Sequence, residues 1–350
     1  MSNRFFELAS IAACATTALA VATVFLAPAP AAAQTPSAKL LAAKEGAKDG
    51  AKDGTKAWTP PRTPDGKPDI QGIFSNASVV PLERPKDLGS KEFFTKEEAD
   101  AYEKAAMSRH EIVAPGTYGD VHYNMQQFGL EKGQTKVAET IRTSLIVGPE
   151  GRVPPLLPAA QARAAARQAA NKGHEFDGPE NRGLSERCIL WPNEGPPMLP
   201  EGYNSNLQIV QGEGYVAIMQ ETIHDVRIIP TDGRPHLPPE VHQLVGDSRG
   251  HWEGNTLVVD TTNFTNRTAF RGSSENLHVV ERFTRTDPDT VTYQFTVSDP
   301  STWEKSWSGE VLMTKIDGPI FEYACHEGNY GMRNNLSGAR AEDQKKAAQK

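Results

Sequence analysis

Titratable side chains crowd into four short stretches of the sequence, at 221–227, 232–236, 246–253 and 325–330. Five of the nine histidines lie between His224 and His278. A histidine beside a carboxylate acts as a general base or acid near neutral pH. Acid–base chemistry is therefore the first catalytic hypothesis that these residue types support.

His224 is the predicted base or acid. On an extended strand His224 faces away from Asp225 and Arg227, so either side is expected to point inward. Asp225 or Glu221 would orient the imidazole, and Arg227 or Arg249 would hold an anionic group or a developing oxyanion. For each histidine the alternative is a structural hydrogen bond to the backbone. Further predicted site residues are His251 and His326 as reserve acid–base groups, and Trp252, Tyr293 and Tyr323 as substrate-binding aromatics.

Two other kinds of site have weaker support. The GDSRG motif at 246–250 fits the Gly-x-Ser-x-Gly pattern of serine hydrolases, but a nucleophile elbow needs a helix after Ser248, and a turn and a strand are predicted there instead. The alternative is a polar turn in which Asp247 and Ser248 bond backbone amides. Suitable metal-ligand types occur without ligand-like spacing, at His224, His236, His251, His326, Glu253 and Glu327.

Composition narrows the functional classes further. The 350-residue chain has a net charge of −7 and no basic runs, which disfavours nucleic acid and anionic membrane surfaces as partners. No Rossmann or P-loop glycine pattern occurs. We therefore predict no cofactor and no metal, with a small organic molecule as the partner.

The amino-terminal residues predict export. Arg4 precedes an apolar stretch that ends near Leu26, and residues 31–33 are three alanines. This pattern is typical of a secretory signal peptide cleaved after Ala33, which predicts a periplasmic or secreted protein with no integral membrane span. An uncleaved membrane anchor and a lipid anchor at Cys14 are the alternatives. A polar spacer with an Ala-Lys-Asp-Gly repeat follows at 34–57 and is predicted to be disordered.

Two cysteines remain after cleavage. In an oxidising compartment, Cys188 and Cys325 are expected to form one disulfide that closes a long loop. Two buried free cysteines are the alternative.

Hydrophobic periodicity predicts a mainly β protein. Thr95 and Glu98 form a capping box for a helix to about residue 109, and an alanine-rich stretch predicts a second helix at 158–172. Apolar alternation predicts strands at 143–147, 207–211, 215–220, 222–229, 257–262, 276–285, 290–297, 307–315 and 319–325. Consecutive antiparallel strands favour a barrel or a sandwich at 205–338. An irregular, partly helical segment at 58–204 is predicted to wrap it, and 339–350 to form a flexible charged tail.

Several longer motifs occur together: PDGKPDIQGIF at 64–74, TSLIV at 143–147, SERCILW at 185–191, the stretch 247–260, and YACHEGNY at 323–330. In this combination the chain resembles a family of exported proteins of environmental Gram-negative bacteria. Such proteins often carry Trp where this chain has Phe74. The family has no established activity, so the resemblance implies export but no catalytic residues. The strand pattern is also similar to calycin-type barrels, which is a fold analogy only.

These observations lead to three functional hypotheses. The first is an exported, cofactor-independent lyase, isomerase, hydratase or hydrolase that acts on a small organic molecule by His and carboxylate chemistry. The second is a non-catalytic binding protein or carrier for an apolar ligand, which requires a mostly apolar pocket with few polar groups. The third is an envelope scaffold, which requires no cavity of ligand size, about 300 Å³ or more.

Overall fold

A computed structural model describes residues 58–108, 140–201, 204–268 and 270–349 of the chain. Within these residues the protein is mainly β, with nine antiparallel strands in one nearly closed barrel and three α-helices. The predicted signal segment and the spacer lie outside the described residues. No helix of the described part is both long and apolar enough to cross a membrane.

The barrel strands follow one another as a meander, apart from the first. They are β1 (Gly72–Ser75), β2 (Asn206–Gly212), β3 (Tyr215–Gln220), β4 (Val226–Pro230), β5 (Asp247–Glu253), β6 (Thr256–Thr262), β7 (His278–Asp287), β8 (Thr290–Ser298) and β9 (Trp307–Lys315). Their order in the sheet is β4-β3-β2-β1-β9-β8-β7-β6-β5. The end strands β4 and β5 adjoin, since a Cβ on Gly250 would lie 3.0 Å from the Ile229 Cγ2 atom.

Side-chain alternation along the strands builds the core. In β8, Val291, Tyr293, Phe295 and Val297 are fully buried, while the residues between them are partly exposed. This period of two confirms the predicted strand and its inward face. The aromatic side chains pack in sequence, with the rings of Tyr293 and Phe295 5.6 Å apart and those of Phe295 and Trp307 edge to face. The barrel interior is therefore the hydrophobic core.

The first strand was not predicted. β1 lies between β2 and β9, with Gly72 opposite Ile209 and Phe74 opposite Lys315. A four-residue strand has too few alternations to stand out, and its partners are more than a hundred residues away. The predicted strand at 143–147 is also wrong, because these residues form a single isolated bridge, between Ile146 and Gly309.

Three further predictions for the β domain were wrong. Ile223 and His224 have left-handed backbone angles (φ 60° and 59°), so the strand predicted at 222–229 starts only at Val226. The segment 319–325 contains no strand, whereas 247–253, predicted to end in a turn, is β5. Residues 339–348, within the predicted charged tail, belong to helix α3 (Gly331–Ala348).

The two predicted helices are confirmed as α1 (Lys96–Ser108) and α2 (Pro158–Asn171). The capping box is formed in both directions: Glu98 N–H donates to Thr95 Oγ1 (3.2 Å), and Thr95 N–H donates to Glu98 Oε2 (2.8 Å). Helix α2 is attached to the loop after β8 because Arg163 donates to Thr302 Oγ1 (2.8 Å).

The expected disulfide between Cys188 and Cys325 is present, with Cα atoms 5.8 Å apart. It connects the irregular segment before β2 to the segment after β9. The bond therefore anchors the segment 183–196, which forms one wall of the larger cavity described below.

Candidate functional site

The sequence-predicted site residues lie in separate places. Arg227 and Tyr293 are buried in the barrel interior, and Asp225 is half-buried just before β4. His224, His326 and Tyr323 surround the disulfide. Arg249, His251 and Trp252 lie on β5, and Glu221 lies between β3 and β4. The predicted acid–base groups therefore do not meet in one pocket.

Inside the barrel, Arg227 forms a two-pronged ion pair with Glu281 of β7. The Nη1–Oε2 and Nη2–Oε1 distances are 2.7 and 3.0 Å, and Glu281 is 0% exposed. Tyr293 donates to Glu281 Oε1 (2.8 Å) and accepts from Met198 N–H (2.9 Å). Burial opposes the charge of Arg227, yet its pKa is raised because Glu281 lies against it. Burial and the Glu281 charge both raise the pKa of the Tyr293 hydroxyl. Arg227, Glu281 and Tyr293 therefore form a buried network in which the polar side chains bind one another.

Carboxylates gather at the edge of this network. Burial raises the pKa of Asp225, partly offset by the charge of Arg227. Burial also raises the pKa of Glu194 to about 8, and the charges of Asp225 and Glu201 add to that shift. Glu194 accepts from Trp191 N–H at 3.0 Å through Oε2, while its Oε1 is buried and has no donor among the described residues. The predicted Glu221 is separate: it is buried and accepts from Asn206 (2.6 Å).

The disulfide lies beside a small cavity of about 150 Å³. His224 is exposed here, and its Nε2 atom accepts from the backbone N–H of Tyr323 at 3.1 Å. His326 and Glu327 line the same cavity. No hydrogen bond joins His224 to Asp225 or Glu221 in the described structure. The contact of His224 thus matches the structural alternative, a hydrogen bond to backbone.

The densest acid–base cluster is on the outer face of the barrel, at the end where β5 and β7 begin. His236 lies between two carboxylates, with Nδ1 2.8 Å from Asp247 Oδ2 and Nε2 3.0 Å from Asp260 Oδ1. His278 Nε2 is 2.7 Å from the other Asp260 oxygen. Arg249 donates to Asp247 Oδ1 (2.7 Å) and extends the row. We call these five residues the outer relay.

Hydrogen bonding shifts the pKa values of two residues of the outer relay, His278 and Asp260. The hydrogen bond that His278 Nε2 donates to Asp260 raises the pKa of His278, against the effect of burial. Burial would raise the pKa of Asp260, but hydrogen bonds and charges from His278 and His236 lower it overall. The predicted His251 lies elsewhere on the same face and pairs with the exposed Glu253 at 3.2 Å.

Two other candidates have structural partners. Ser248 is buried on β5, and its hydroxyl is 2.9 Å from the Thr261 hydroxyl. Trp252 is half-buried and packs against the hydrophobic core. In the part of the chain that is described, no group of three or more His, Cys, Asp or Glu side chains is placed to hold a metal ion.

A cavity of about 440 Å³ lies at the same end of the barrel as the outer relay. The segment 183–196 forms one wall, and the loop between β6 and β7 forms the other. Its apolar lining includes Leu190, Trp191, Phe264, Phe270 and Leu277. This volume lies within the range of small-molecule sites, about 300–1,000 Å³.

Local backbone geometry shapes the first wall. Gly195 has φ 86°, and a Cβ there would lie 2.6 Å from the backbone nitrogen of Met198. Only glycine fits this position without displacing the neighbouring chain. Cys188 lies in the same segment, between the lining residues Ser185 and Leu190, and its disulfide links this segment to the chain after β9.

The charged residues among the described lining all lie in the second wall. Arg267 and Arg271 line it, and none of the described lining residues is acidic. The closest carboxylate oxygen to Arg271 within ion-pairing range is Glu83 Oε1 at 3.9 Å, and burial lowers the pKa of this guanidinium. Neither arginine was predicted as a site residue.

The sequence carries a signal for some of the unpredicted residues but not for others. Glu281 interrupts the buried register of β7 between Val279 and Phe283, so a charged residue at an inward position was visible. Asp260 holds an outward position in β6 and gives no such signal. Arg267 and Arg271 lie in an irregular loop, where periodicity carries no information.

Comparison with known proteins gave no match to a family model and no match among curated proteins. The functional argument therefore depends on the geometry of this chain.

Proposed function

We propose that this protein is a non-catalytic binding protein or carrier for a small, mostly apolar organic molecule. The observation that carries the proposal is the 440 Å³ cavity with its aromatic and aliphatic lining. A carrier needs an apolar cavity with few polar groups, whereas an enzyme needs acid–base groups that converge on the substrate. The predicted acid–base residues lie outside the lining, which favours the carrier over the enzyme. The volume also disfavours a scaffold without a ligand-sized cavity.

The site of action that we propose is the periplasm or the extracellular space, reached through cleavage after Ala33. The signal-like sequence and the Cys188–Cys325 disulfide support it, because disulfides persist in oxidising compartments. Amino-terminal sequencing of the protein from a periplasmic extract is expected to begin at Gln34. A cytosolic protein that keeps Met1 would exclude export.

Titration with N-phenyl-1-naphthylamine, a neutral aromatic dye, tests the binding proposal. Its fluorescence is expected to rise saturably, with one dye bound per chain. Trp191→Ala removes an aromatic wall and should weaken binding about tenfold or more, since a buried aromatic contributes more than 1.4 kcal/mol. Trp58→Ala is the matched control, because Trp58 is exposed and does not line the cavity. Unsaturable binding, or an equal loss in both variants, would exclude this cavity as the site.

The outer relay supports a second candidate, the cofactor-independent acid–base enzyme. The supporting observation is that Asp260 joins two imidazoles, His236 and His278, at one end of the barrel. His278 is 40% exposed and would exchange the proton. If turnover of any small organic compound is found, His278→Asn should abolish it and His326→Asn should not. Activity that survives His278→Asn would remove this candidate.

A further inference from the structure

The ligand cavity has the opposite charge to the rest of the protein. The whole chain has a net charge of −7. Yet the charged side chains among the described lining residues are two arginines, Arg267 and Arg271. Both side chains are exposed to solvent, so their donors can be reached by an anion that enters the cavity.

Neither arginine is neutralised well within the protein. Arg267 has no carboxylate within 4.0 Å in the described part of the chain, and its guanidinium makes no hydrogen bond there. Arg271 reaches Glu83 only at 3.9 Å, and Glu83 also lies 4.0 Å from Arg152. A long ion pair shared between two arginines leaves most of the Arg271 donors free for an external acceptor.

The backbone holds Arg271 in an uncommon conformation. Its φ of 48° is in the left-handed region, which costs a non-glycine residue about 1 kcal/mol or more. This turn is anchored on its amino-terminal side by Phe270, whose ring stacks on Trp307 at 6.2 Å. A strained residue fixed by packing beside a cavity is typical of positions that serve a ligand.

We propose that the cavity binds an organic anion, an aromatic or aliphatic carboxylate or sulfonate, with its apolar body against Trp191 and Phe264 and its charged group at Arg267 and Arg271. The inference rests on the proposed binding function and specifies the ligand class. Arginine suits this task because its planar fork of donors matches the two oxygens of a carboxylate.

Two dyes with the same aromatic skeleton separate the inference from the function on which it rests. 8-Anilinonaphthalene-1-sulfonate carries a sulfonate that N-phenyl-1-naphthylamine lacks. The full-length protein, processed by its host, is titrated with each dye at low ionic strength. We expect the sulfonate dye to bind at least tenfold more tightly, since charge-assisted hydrogen bonds contribute about 1.5–3 kcal/mol.

The double variant Arg267→Gln/Arg271→Gln should remove this preference and leave the affinity for the neutral dye unchanged. Arg333→Gln/Arg340→Gln is the matched control, because it makes the same change in net charge at exposed positions of helix α3. Arg267→Lys/Arg271→Lys should restore part of the preference, because it restores the charge without the fork.

The outcomes distinguish the two claims. If neither dye binds at a single site, the binding function itself fails. If the neutral dye binds and the sulfonate dye binds no more tightly, the cavity is a site for neutral ligands and the anion inference fails alone. An equal loss of preference in the helix α3 control would assign the effect to overall charge and also overturn the inference.

Discussion

Arg227 and Glu281 face each other across the barrel interior and form an ion pair with Nη1–Oε2 at 2.7 Å and Nη2–Oε1 at 3.0 Å. The inward neighbours of the pair on its own strands are apolar, Ile229 on β4 and Val279 and Phe283 on β7. Tyr293 donates a third hydrogen bond to Glu281. The cost of burying each charge is offset by the opposite charge that lies against it.

Removal of one partner should therefore be more harmful than removal of both. Glu281→Ala leaves Arg227 buried without its counterion, and we expect a loss of about 3–5 kcal/mol in the free energy of unfolding. Arg227→Met/Glu281→Leu should recover most of that loss, because similar apolar volume replaces the pair. Urea denaturation followed by circular dichroism measures both. A single variant within about 1 kcal/mol of the native protein would show that the pair is not desolvated.

Glu194 should make the protein less stable as the pH rises. Its pKa is about 8 in the folded protein and 4.5 in its ordinary state, so the folded chain alone keeps this proton between those values. The free energy of unfolding should fall from about pH 4.5 to about pH 8 and level off above it, by on the order of 3–5 kcal/mol from this group. Glu194→Gln should remove that component, as measured by thermal unfolding at a series of pH values. Glu240→Gln, at an exposed position, is the control. Parallel pH profiles for Glu194→Gln and the native chain would contradict the assignment.

The disulfide should stabilise both the fold and the cavity wall. It closes a loop with a sequence separation of 137 residues, for which chain entropy predicts about 5 kcal/mol. Cys188→Ser/Cys325→Ser should lower the stability and weaken dye binding, because the wall at 183–196 loses its anchor. Mass spectrometry with an alkylating reagent should find no free thiol in a chain cleaved after Ala33, and one, from Cys14, in an uncleaved chain. Two alkylated cysteines in the cleaved chain would contradict the bridge.

Asp260 should hold a proton on His278. The hydrogen bond between them raises the His278 pKa, so its stabilising contribution is complete below about pH 6.5 and is lost as the pH passes the raised folded value. Asp260→Asn should move the His278 pKa down, which NMR titration of the imidazole measures. Asp317→Asn, at an exposed position, should leave that titration unchanged. If Asp260→Asn also leaves it unchanged, the described hydrogen bond does not form in solution.

Gly195 should resist substitution. Gly195→Ala places a Cβ 2.6 Å from Met198 N at φ 86°, and a loss of about 1–3 kcal/mol is expected with weaker dye binding. Gly318→Ala is the matched control, since it has no positive φ and no atom within 4 Å of the new Cβ. Equal stability of the two variants would show that the cavity wall rearranges easily.

Local rules predicted a large part of the fold. The capping box of Thr95 and Glu98, helix α2 and the alternating strand β8 depend on neighbours within a few residues, and each was found as predicted. Predictions failed where distant chain segments decide the conformation. Strand β1 exists only because β2 and β9 flank it, and His224 leaves the strand conformation at a left-handed turn.

By itself the sequence determined the mainly β class, the antiparallel succession of strands and the pairing of Cys188 with Cys325, because these follow from hydrophobic periodicity and from composition. Tertiary structure alone decided which polar residues meet. It placed Arg227 against Glu281, His236 between Asp247 and Asp260, and Arg267 and Arg271 at an apolar cavity. These contacts join residues that are distant in the sequence. They depend on closure of the barrel and on the path of irregular loops, which the residues of a single segment do not determine.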